Sequence, residues 1–544
     1  MTDRSGEQAF HGIGVSGGAV IGSIHVLREA KLSSRAFSNQ SDETRLLRDA
    51  LAAAQAEIER LISREDKLAG EILEFQLALL EDDDFLAPVE RAIAAGIPAD
   101  RAWELVLDAE IADYRDSGSE VLAARSSDLT DLKVSVLRAL QGASAVPARP
   151  PDGAILVAAD LTPSGFLAID WSRLAGAATL GGSPTSHVSI LARARGLNLV
   201  VGLGAELEAF CDGTPAILDA TAGRLIVEPS AASVAAAEAQ IAAASVDAGA
   251  IADLIRRPAL TVRGEAVKVL VNIDEPALLG TLSPEICDGI GLTRTEFMFK
   301  GGDLPGEEEQ LAFYAQLIAW AGGRPVTIRT LDAGGDKPIP GLTPEGEANP
   351  FLGVRGLRLS LAKPEVFRVQ LRALARAASL GPLKIMVPMV TTPAELAVAR
   401  GMMLAEISHF KLAGVACAMP PMGMMVEVPA AALTAESFEA DFYSIGSNDL
   451  IQYALACARD NPALISLADP ANPAILELIS RTVAAGERRG VEVSLCGDMA
   501  STPLLVPLLL SAGLRVLSCA PAQIGPVKLA ISRHAPGRER LDHG

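Results

Sequence analysis

The stretch Leu180-Gly-Gly-Ser-Pro-Thr-Ser-His-Val-Ser-Ile-Leu-Ala-Arg193 continues from an apolar, strand-like run, Ala177-Ala-Thr-Leu180, and opens a helix. Gly181 and Gly182 permit a tight turn with close backbone approach. Thr185 and Ser186 are good N-cap residues, which puts His187 in the first helical turn with Val188, Ile190 and Leu191 as a packing face. A strand, a glycine turn and a helix start together point to an α/β domain. The free N–H groups and positive dipole end of a helix N-terminus suit a phosphate. An imidazole there is a candidate nucleophile for carrying a phosphoryl group. A core histidine capping the helix would use the same residues, and this stretch by itself leaves both readings open.

Working outward, Ala154-Ile-Leu-Val-Ala-Ala reads as a buried strand, and Leu199-Val-Val-Gly-Leu, Ala216-Ile-Leu-Asp and Arg224-Leu-Ile-Val supply more. Near the N-terminus, Phe10 to Leu27 is β-rich and broken by glycines, predicting a strand, a turn and a second strand. His11 and His25 have no partners at ligand spacing and read as ordinary histidines. Between these segments the period becomes helical: Leu46, Leu47, Ala50, Leu51, Ala54 and Ile58, then Ile72, Phe75, Leu79 and Leu80. Gly96 and Pro98 mark a break, while Asp100 and Asp128 fit helix starts. The expectation is an α/β domain of residues 1–32 and 145–230 with a helical bundle, 33–144, inserted in it. The acidic run Glu81-Asp82-Asp83-Asp84 is a solvated face or a docking surface for a basic partner. The alanine-rich segment 231–257 reads as a helical linker.

From Val267 onward short apolar strands alternate with helices. Eight fall at Lys268–Asn272, Gly289–Thr293, Val326–Arg329, Lys384–Pro388, Met422–Glu427, Asp441–Ile445, Glu492–Cys496 and Val516–Cys519, with helical segments such as Glu307–Ala321, Lys363–Ala378 and Pro393–Ile407 between them. This is the pattern of a (β/α)₈ barrel, assigned to residues 258–535 with a tail at 536–544.

A barrel places its chemistry where strands end. Those ends carry Arg294, Arg329 (followed by Lys337), Glu427, Asn448 with Asp449, and Cys496. Glu427 and Asp449 suit Mg²⁺, which shares ligands with waters and substrate oxygens. Arg294, Arg329 and Arg459 can clamp phosphate and carboxylate oxygens, and Lys337, Arg355 and Arg358 add local positive charge. Cys496 is a candidate proton donor to carbon or a small core thiol.

The whole chain has 544 residues, enough for two or three domains. Its net charge of −20 argues against nucleic acid binding through a general basic field. An anionic substrate then needs a local cluster of Arg and Lys, whereas a basic protein partner would be attracted. Six cysteines without paired spacing read as reduced cytosolic thiols rather than a disulfide frame or zinc site. No uninterrupted apolar run is long enough to span a bilayer, and the N-terminal residues lack an apolar signal-peptide core, so membrane insertion is not expected.

The stretch around His187 resembles the phosphohistidine signature of phosphoenolpyruvate-utilising enzymes, in particular the enzyme I family of bacterial phosphotransferase systems. Leu292-Thr-Arg-Thr-Glu-Phe297, Ile328-Arg-Thr-Leu-Asp332, Asn349-Pro-Phe-Leu-Gly-Val-Arg355, Val426-Glu-Val-Pro-Ala-Ala431, Ser444-Ile-Gly-Ser-Asn-Asp-Leu450 and Cys496-Gly-Asp498 resemble its motifs too. The resemblance implies that His187 attacks the phosphate of Mg²⁺-bound phosphoenolpyruvate, with Cys496 as the acid that completes pyruvate. It implies transfer onward to a histidine of an HPr-like phosphocarrier docked on the helical insertion. It further implies a homodimer through the barrel, a large swivel at the linker, a cytoplasmic location, and Thr162 as the hydrogen-bond partner of the imidazole. Three departures stand out: Ser183-Pro184 where the family usually has one residue, Gln76 and the run Asp128-Leu-Thr-Asp-Leu-Lys133 in the insertion, and an early end after Arg533. A dikinase shares the histidine and the barrel but needs an ATP-binding domain, for which there is no motif. A non-catalytic regulatory relative would not need the full set of metal and acid residues.

Overall fold

The N-terminal residues form three strands where one turn between two was expected: β1 (Gln8–His11), β2 (Ile13–Ser16) and β3 (Ala19–Leu27). Gly12 separates the first two, and Gly17, at φ 101°, turns the chain before the third. The computed structural model describes residues 6–28, 36–62, 67–116, 120–141, 150–184, 186–204, 209–299, 304–335, 337–458, 464 and 467–535.

β3 pairs in parallel with β4 (Ile155–Ala158), although a helical bundle intervenes in the sequence. The sheet continues through β5 (Gly176–Thr179) and β6 (Leu199–Val201), and on the other side through β7 (Pro215–Asp219) and β8 (Arg224–Val227), in the order β1-β8-β7-β3-β4-β5-β6-β2. β4 and β5 are buried along their whole length, consistent with apolar runs covered on both faces.

The intervening bundle comprises α1 (Gln40–Ile62), α2 (Lys67–Leu80), α3 (Asp83–Ala94), α4 (Ala99–Asp116) and α5 (Glu120–Leu140). Leu47, Ala50, Leu51, Ala54 and Ile58 form the buried stripe of α1, as their period requires. Asp82 caps α3, so part of the acidic run serves the helix start. Asp128 does not begin a helix. It lies within α5 and is wholly buried, because its side chain is engaged by a tertiary partner rather than by a cap. Two short helices complete this part, α6 (Pro163–Ala168) and α7 (His187–Ala194).

The chain divides into two compact units, Met1–Val246 and Asp247–Gly544. The division falls inside α8 (Ala231–Leu254), which by length and composition alone could cross a membrane. Its apolar character is mainly alanine, and Glu238, Asp247 and Asp253 interrupt it, which is why no uninterrupted run is visible in the sequence.

In the second unit a short β9 (Ala259–Leu260) pairs antiparallel with β10 (Ala266–Ile273). Seven parallel strands follow: β11 (Ile290–Thr293), β12 (Val326–Arg329), β13 (Leu383–Val387), β14 (Met422–Val426), β15 (Phe442–Ile445), β16 (Glu492–Leu495) and β17 (Val516–Cys519). β10 pairs with both β11 and β17, closing an eight-stranded barrel. Its core includes Val269, Ile290, Ile328, Ile385, Met424, Tyr443 and Leu517.

Candidate active site

In the first unit the loop after β5 is shaped by Gly182, at φ 88°, and by Thr179 Oγ1 donating to the Gly181 carbonyl at 2.8 Å. Ser186 is the N-cap of α7, its Oγ accepting from the Ser189 N–H, while Ser189 Oγ donates to the Ser183 carbonyl at 2.7 Å. The two serines therefore anchor both sides of the turn. Thr185, the other expected cap, lies outside the described residues. His187 opens the helix as its sequence predicts, with its side chain 26% exposed.

The partner of the imidazole differs from the expected one. Nδ1 of His187 lies 2.9 Å from Asp128 Oδ1 on α5. Thr162 instead caps α6, its Oγ1 accepting from the Gly165 N–H at 3.2 Å. A Thr-Pro pair at a helix start has the geometry of a cap, and the ring nitrogen is met by Asp128 instead. One turn along α5, Asp131 accepts from the Ser164 backbone N–H at 2.8 Å and from Gln76 Nε2 at 3.0 Å.

In the second unit one cleft at the C-terminal rim of the barrel is lined by Arg294, Arg329, Lys337, Glu427, Asn448, Asp449 and Cys496, with Leu292, Met425, Gly446 and Gly497 between them. Seven of the residues expected at strand ends thus converge. Arg329 is buried and held on two sides, Nη2 donating to Glu296 Oε1 at 2.8 Å and Nη1 lying 3.1 Å from Asp332 Oδ2. Burial opposes its charge, but Glu296, Asp332 and Glu427 keep the guanidinium firmly protonated. Arg294 reaches Asp274 Oδ2 at 2.8 Å. Asn448 is locked to Asp498 by two bonds, Nδ2 donating to Oδ2 at 3.0 Å and Oδ1 accepting from the backbone N–H at 2.9 Å. The glycine of Cys496-Gly-Asp is required by this interlock, since a Cβ on Gly497 would lie 1.8 Å from Ser447 Oγ.

Arg355 and Arg358, expected as substrate ligands, do not line the cleft. Arg355 is wholly buried and bridges Asp332, at 3.0 Å, to Asp449, at 3.1 Å. Arg358 pins a loop through the Leu352 and Gly353 carbonyls and Thr391 Oγ1. A guanidinium between two carboxylates has its charge balanced internally, so positive charge in the motif was legible but its direction was not. Arg459 lies outside the described residues.

Glu427 and Asp449 sit in the cleft with their charges crowded. Burial, then Asp449 and Asp332, push the Glu427 carboxyl well above the usual carboxylate range. A divalent cation would relieve that surplus of negative charge, so this donor set fits one that takes its other ligands from water and substrate. Among the described residues no cluster of three or more His, Cys, Asp and Glu is placed to hold a metal without such ligands. Cys496 is buried, with Ser444 Oγ donating to its sulfur at 3.2 Å, and burial raises its thiol pKa.

The sequence reading gave no role to Asp332 or Glu296. Both are acidic residues a few positions beyond a strand-end arginine, and that local pairing was the signal. Asp332 is fully buried. Burial works against its charge, yet Arg329, Arg355 and Lys337 hold its carboxyl below the usual range.

A cleft lined by three cations and two adjacent carboxylates at the C-terminal rim of a closed parallel barrel lies where enzymes of this fold class carry their active site. Residues 249–535 match the PEP-binding domain of PEP-utilising enzymes, residues 11–125 their N-terminal domain and residues 150–223 their mobile domain. The phosphoenolpyruvate-protein phosphotransferase of Bacillus sp. strain S is 36% identical over 97% of this chain and 94% of its own, and that of Bacillus subtilis strain 168 is 35% identical over 97% and 94%. The multiphosphoryl transfer protein of Rhodobacter capsulatus is 38% identical over 91% of this chain and 60% of its own. The chain belongs to the phosphoenolpyruvate-protein phosphotransferase family.

Proposed function

We propose that this chain moves the phosphoryl group of phosphoenolpyruvate onto His187 and then onto a histidine of a small HPr-like carrier protein, releasing pyruvate. The convergence of Arg294, Arg329, Lys337, Glu427, Asn448, Asp449 and Cys496 on one cleft is the observation that carries this reading.

Arg294, Arg329 and Lys337 bind and orient the phosphate and carboxylate oxygens, and Asn448 adds a positioned amide. Glu427 and Asp449 would hold Mg²⁺, which supplies charge neutralisation at phosphoryl and enolate oxygens. The Nε2 lone pair of His187 forms the N–P bond as the bond from phosphorus to the enol oxygen breaks. The enolate oxygen becomes the ketone of pyruvate while its CH₂ carbon takes a proton from Cys496, and the thiolate is reprotonated from water. Burial keeps that thiol in the protonated form a general acid needs. In the second half-reaction the carrier's imidazole forms the new N–P bond and the electron pair of the old one returns to His187.

The helical bundle is proposed as the carrier's docking surface, with Glu81, Asp82, Asp83 and Asp84 attracting a basic face. A cytoplasmic homodimer joined through the barrel, serving sugar uptake or a regulatory phosphorelay, completes the reading.

The test is transfer of label from phosphoenolpyruvate with Mg²⁺ to wild type and His187→Ala. The expected result is an acid-labile label on the wild type, pyruvate release and no label on the variant. Absence of label on folded wild type would sink the enzymatic reading and favour a regulatory one. A label that survives His187→Ala would move the acceptor elsewhere.

A further inference from the structure

Tyr453 is not among the residues that line the cleft, yet its hydroxyl sits where the supports of both cleft carboxylates meet. The helix Ser447–Leu455 carries Asp449 and, one turn further along the same face, the half-buried Tyr453. Arg355 Nη1 donates to Asp449 Oδ1 at 3.1 Å and to the Tyr453 hydroxyl at 3.2 Å. A guanidinium can only donate, so the phenol accepts this bond and keeps its own proton for the Phe351 carbonyl. Arg355 Nη2 is spent on the two oxygens of Asp332, and Nε is buried without a partner. Among the described residues, the aim of Nη1 is therefore set by Asp449 and the phenol.

The second carboxylate is supported from the same place. The Met389 N–H donates to Glu427 Oε1 at 2.6 Å. Met389 does so from a backbone at φ 57°, in the left-handed region that residues with a side chain rarely adopt. Its Sδ lies 4.0 Å from the Tyr453 hydroxyl. Gly356 makes room on the other side, since a Cβ there would lie 2.8 Å from Met389 Cβ. Phe351, Arg355 and Gly356 belong to one loop, so the phenol ties that loop to the helix that carries Asp449.

We infer that Tyr453 is a positioning residue of the cleft: its hydroxyl fixes the Arg355 guanidinium against Asp449 and so sets the aim of a carboxylate that holds the divalent cation. This rests on the reading of Glu427 and Asp449 as cation ligands. A phenylalanine would keep the ring but deprive one Nη1–H and the Phe351 carbonyl of this partner. With Nε already unpaired, a second unmet N–H in a buried site drives the guanidinium to turn, and Asp449 turns with it.

The experiment uses the full chain as wild type, Tyr453→Phe, Arg355→Lys, these two combined, Glu427→Gln and Tyr443→Phe. Tyr443 is a matched control, a buried phenol in the barrel wall that donates to the Ala435 carbonyl at 2.7 Å. Mn²⁺ is titrated into each protein without phosphoenolpyruvate and followed by its electron paramagnetic resonance signal, so that binding rather than turnover is read. Tyr453→Phe should weaken Mn²⁺ binding about 10-fold. Tyr443→Phe should leave it at the wild-type value, and the Tyr453 substitution should add nothing once Arg355 is replaced. A lowered urea midpoint in Tyr453→Phe with unchanged Mn²⁺ affinity would make the phenol a tie for the loop alone and overturn the inference. So would a full loss on adding Tyr453→Phe to Arg355→Lys, because the effect would then not pass through Arg355. A wild type that binds Mn²⁺ no better than Glu427→Gln would instead bring down the cation reading, and the inference with it.

Discussion

In the first unit, His187 stands at the start of a short helix, partly open to solvent, with Asp128 behind it. In the second, Arg329 is buried between Glu296 and Asp332, and Arg355 between Asp332 and Asp449. Under the proposed function the two regions meet different physical demands. A nucleophile needs one lone pair presented outward, and a helix cap with one carboxylate can achieve that. A clamp for a multiply charged anion needs cations already stripped of water. Taking a guanidinium out of water is costly unless carboxylates accompany it. The rim therefore carries a second layer of acids that the acceptor region does not need.

The contrast can be pressed experimentally. Cys496→Ala removes the proposed proton donor of the rim and nothing from the region of His187. Pyruvate formation should fall about 10²–10⁴-fold, while single-turnover labelling of His187 falls far less. Equal losses in the two assays would deny Cys496 the role of acid.

Asp332→Asn leaves Arg329 and Arg355 without their shared counter-charge. The barrel unit should lose about 3–5 kcal/mol of stability, read as a lowered transition in urea with the first unit's transition unmoved. The acid dependence has a definite sign. The folded-state pKa of Asp332 is depressed, so its stabilisation is full above the ordinary carboxylate range and is lost as pH falls through its own lower value. The variant should lack that part of the acid transition.

Glu427 has the opposite sign. Its folded-state pKa is raised, so its stability contribution is complete in acid and is lost as pH rises through the raised value. Mg²⁺ should restore what is lost, by about 2.7 kcal/mol at 100 times its dissociation constant. The thermal shift should be larger near about pH 8 than about pH 6, vanish with chelator, and be absent in Glu427→Gln. A shift independent of pH would place the ion elsewhere.

The smallest effect belongs to the first unit. Ser186→Ala deletes the cap of α7 and should cost about 1 kcal/mol there, read by hydrogen exchange across Val188–Ala192, with the barrel unchanged. A cost spread over both units would mean that the two regions are not energetically separate.

Much of this organisation was readable from residues alone because it was local. A strand-length apolar run ending in arginine announces both a barrel strand and its rim, and β12 falls on the residues expected, as does β17, which ends in Cys519. The Ser186 cap is likewise a matter of neighbouring residues. What was misread depends on partners distant in sequence. Asp128 looks like a helix start until His187, 59 positions away, is brought against it. Arg355 looks like an anion ligand until Asp449, 94 positions on, accepts one of its N–H groups. Thr162, which the resemblance offered as the partner of the ring, serves a local cap instead.

The pairing of β3 with β4 across the whole bundle has a consequence for how such proteins can be remade. Because those strands lie side by side, five helices enter and leave the sheet at adjoining points, and they could be exchanged for another bundle with little disturbance to the strands. The exchange has one structural condition: the donor bundle must bring to the place of Asp128 a side chain that can hydrogen-bond His187, since that ring takes its partner from the bundle and not from the sheet that carries it.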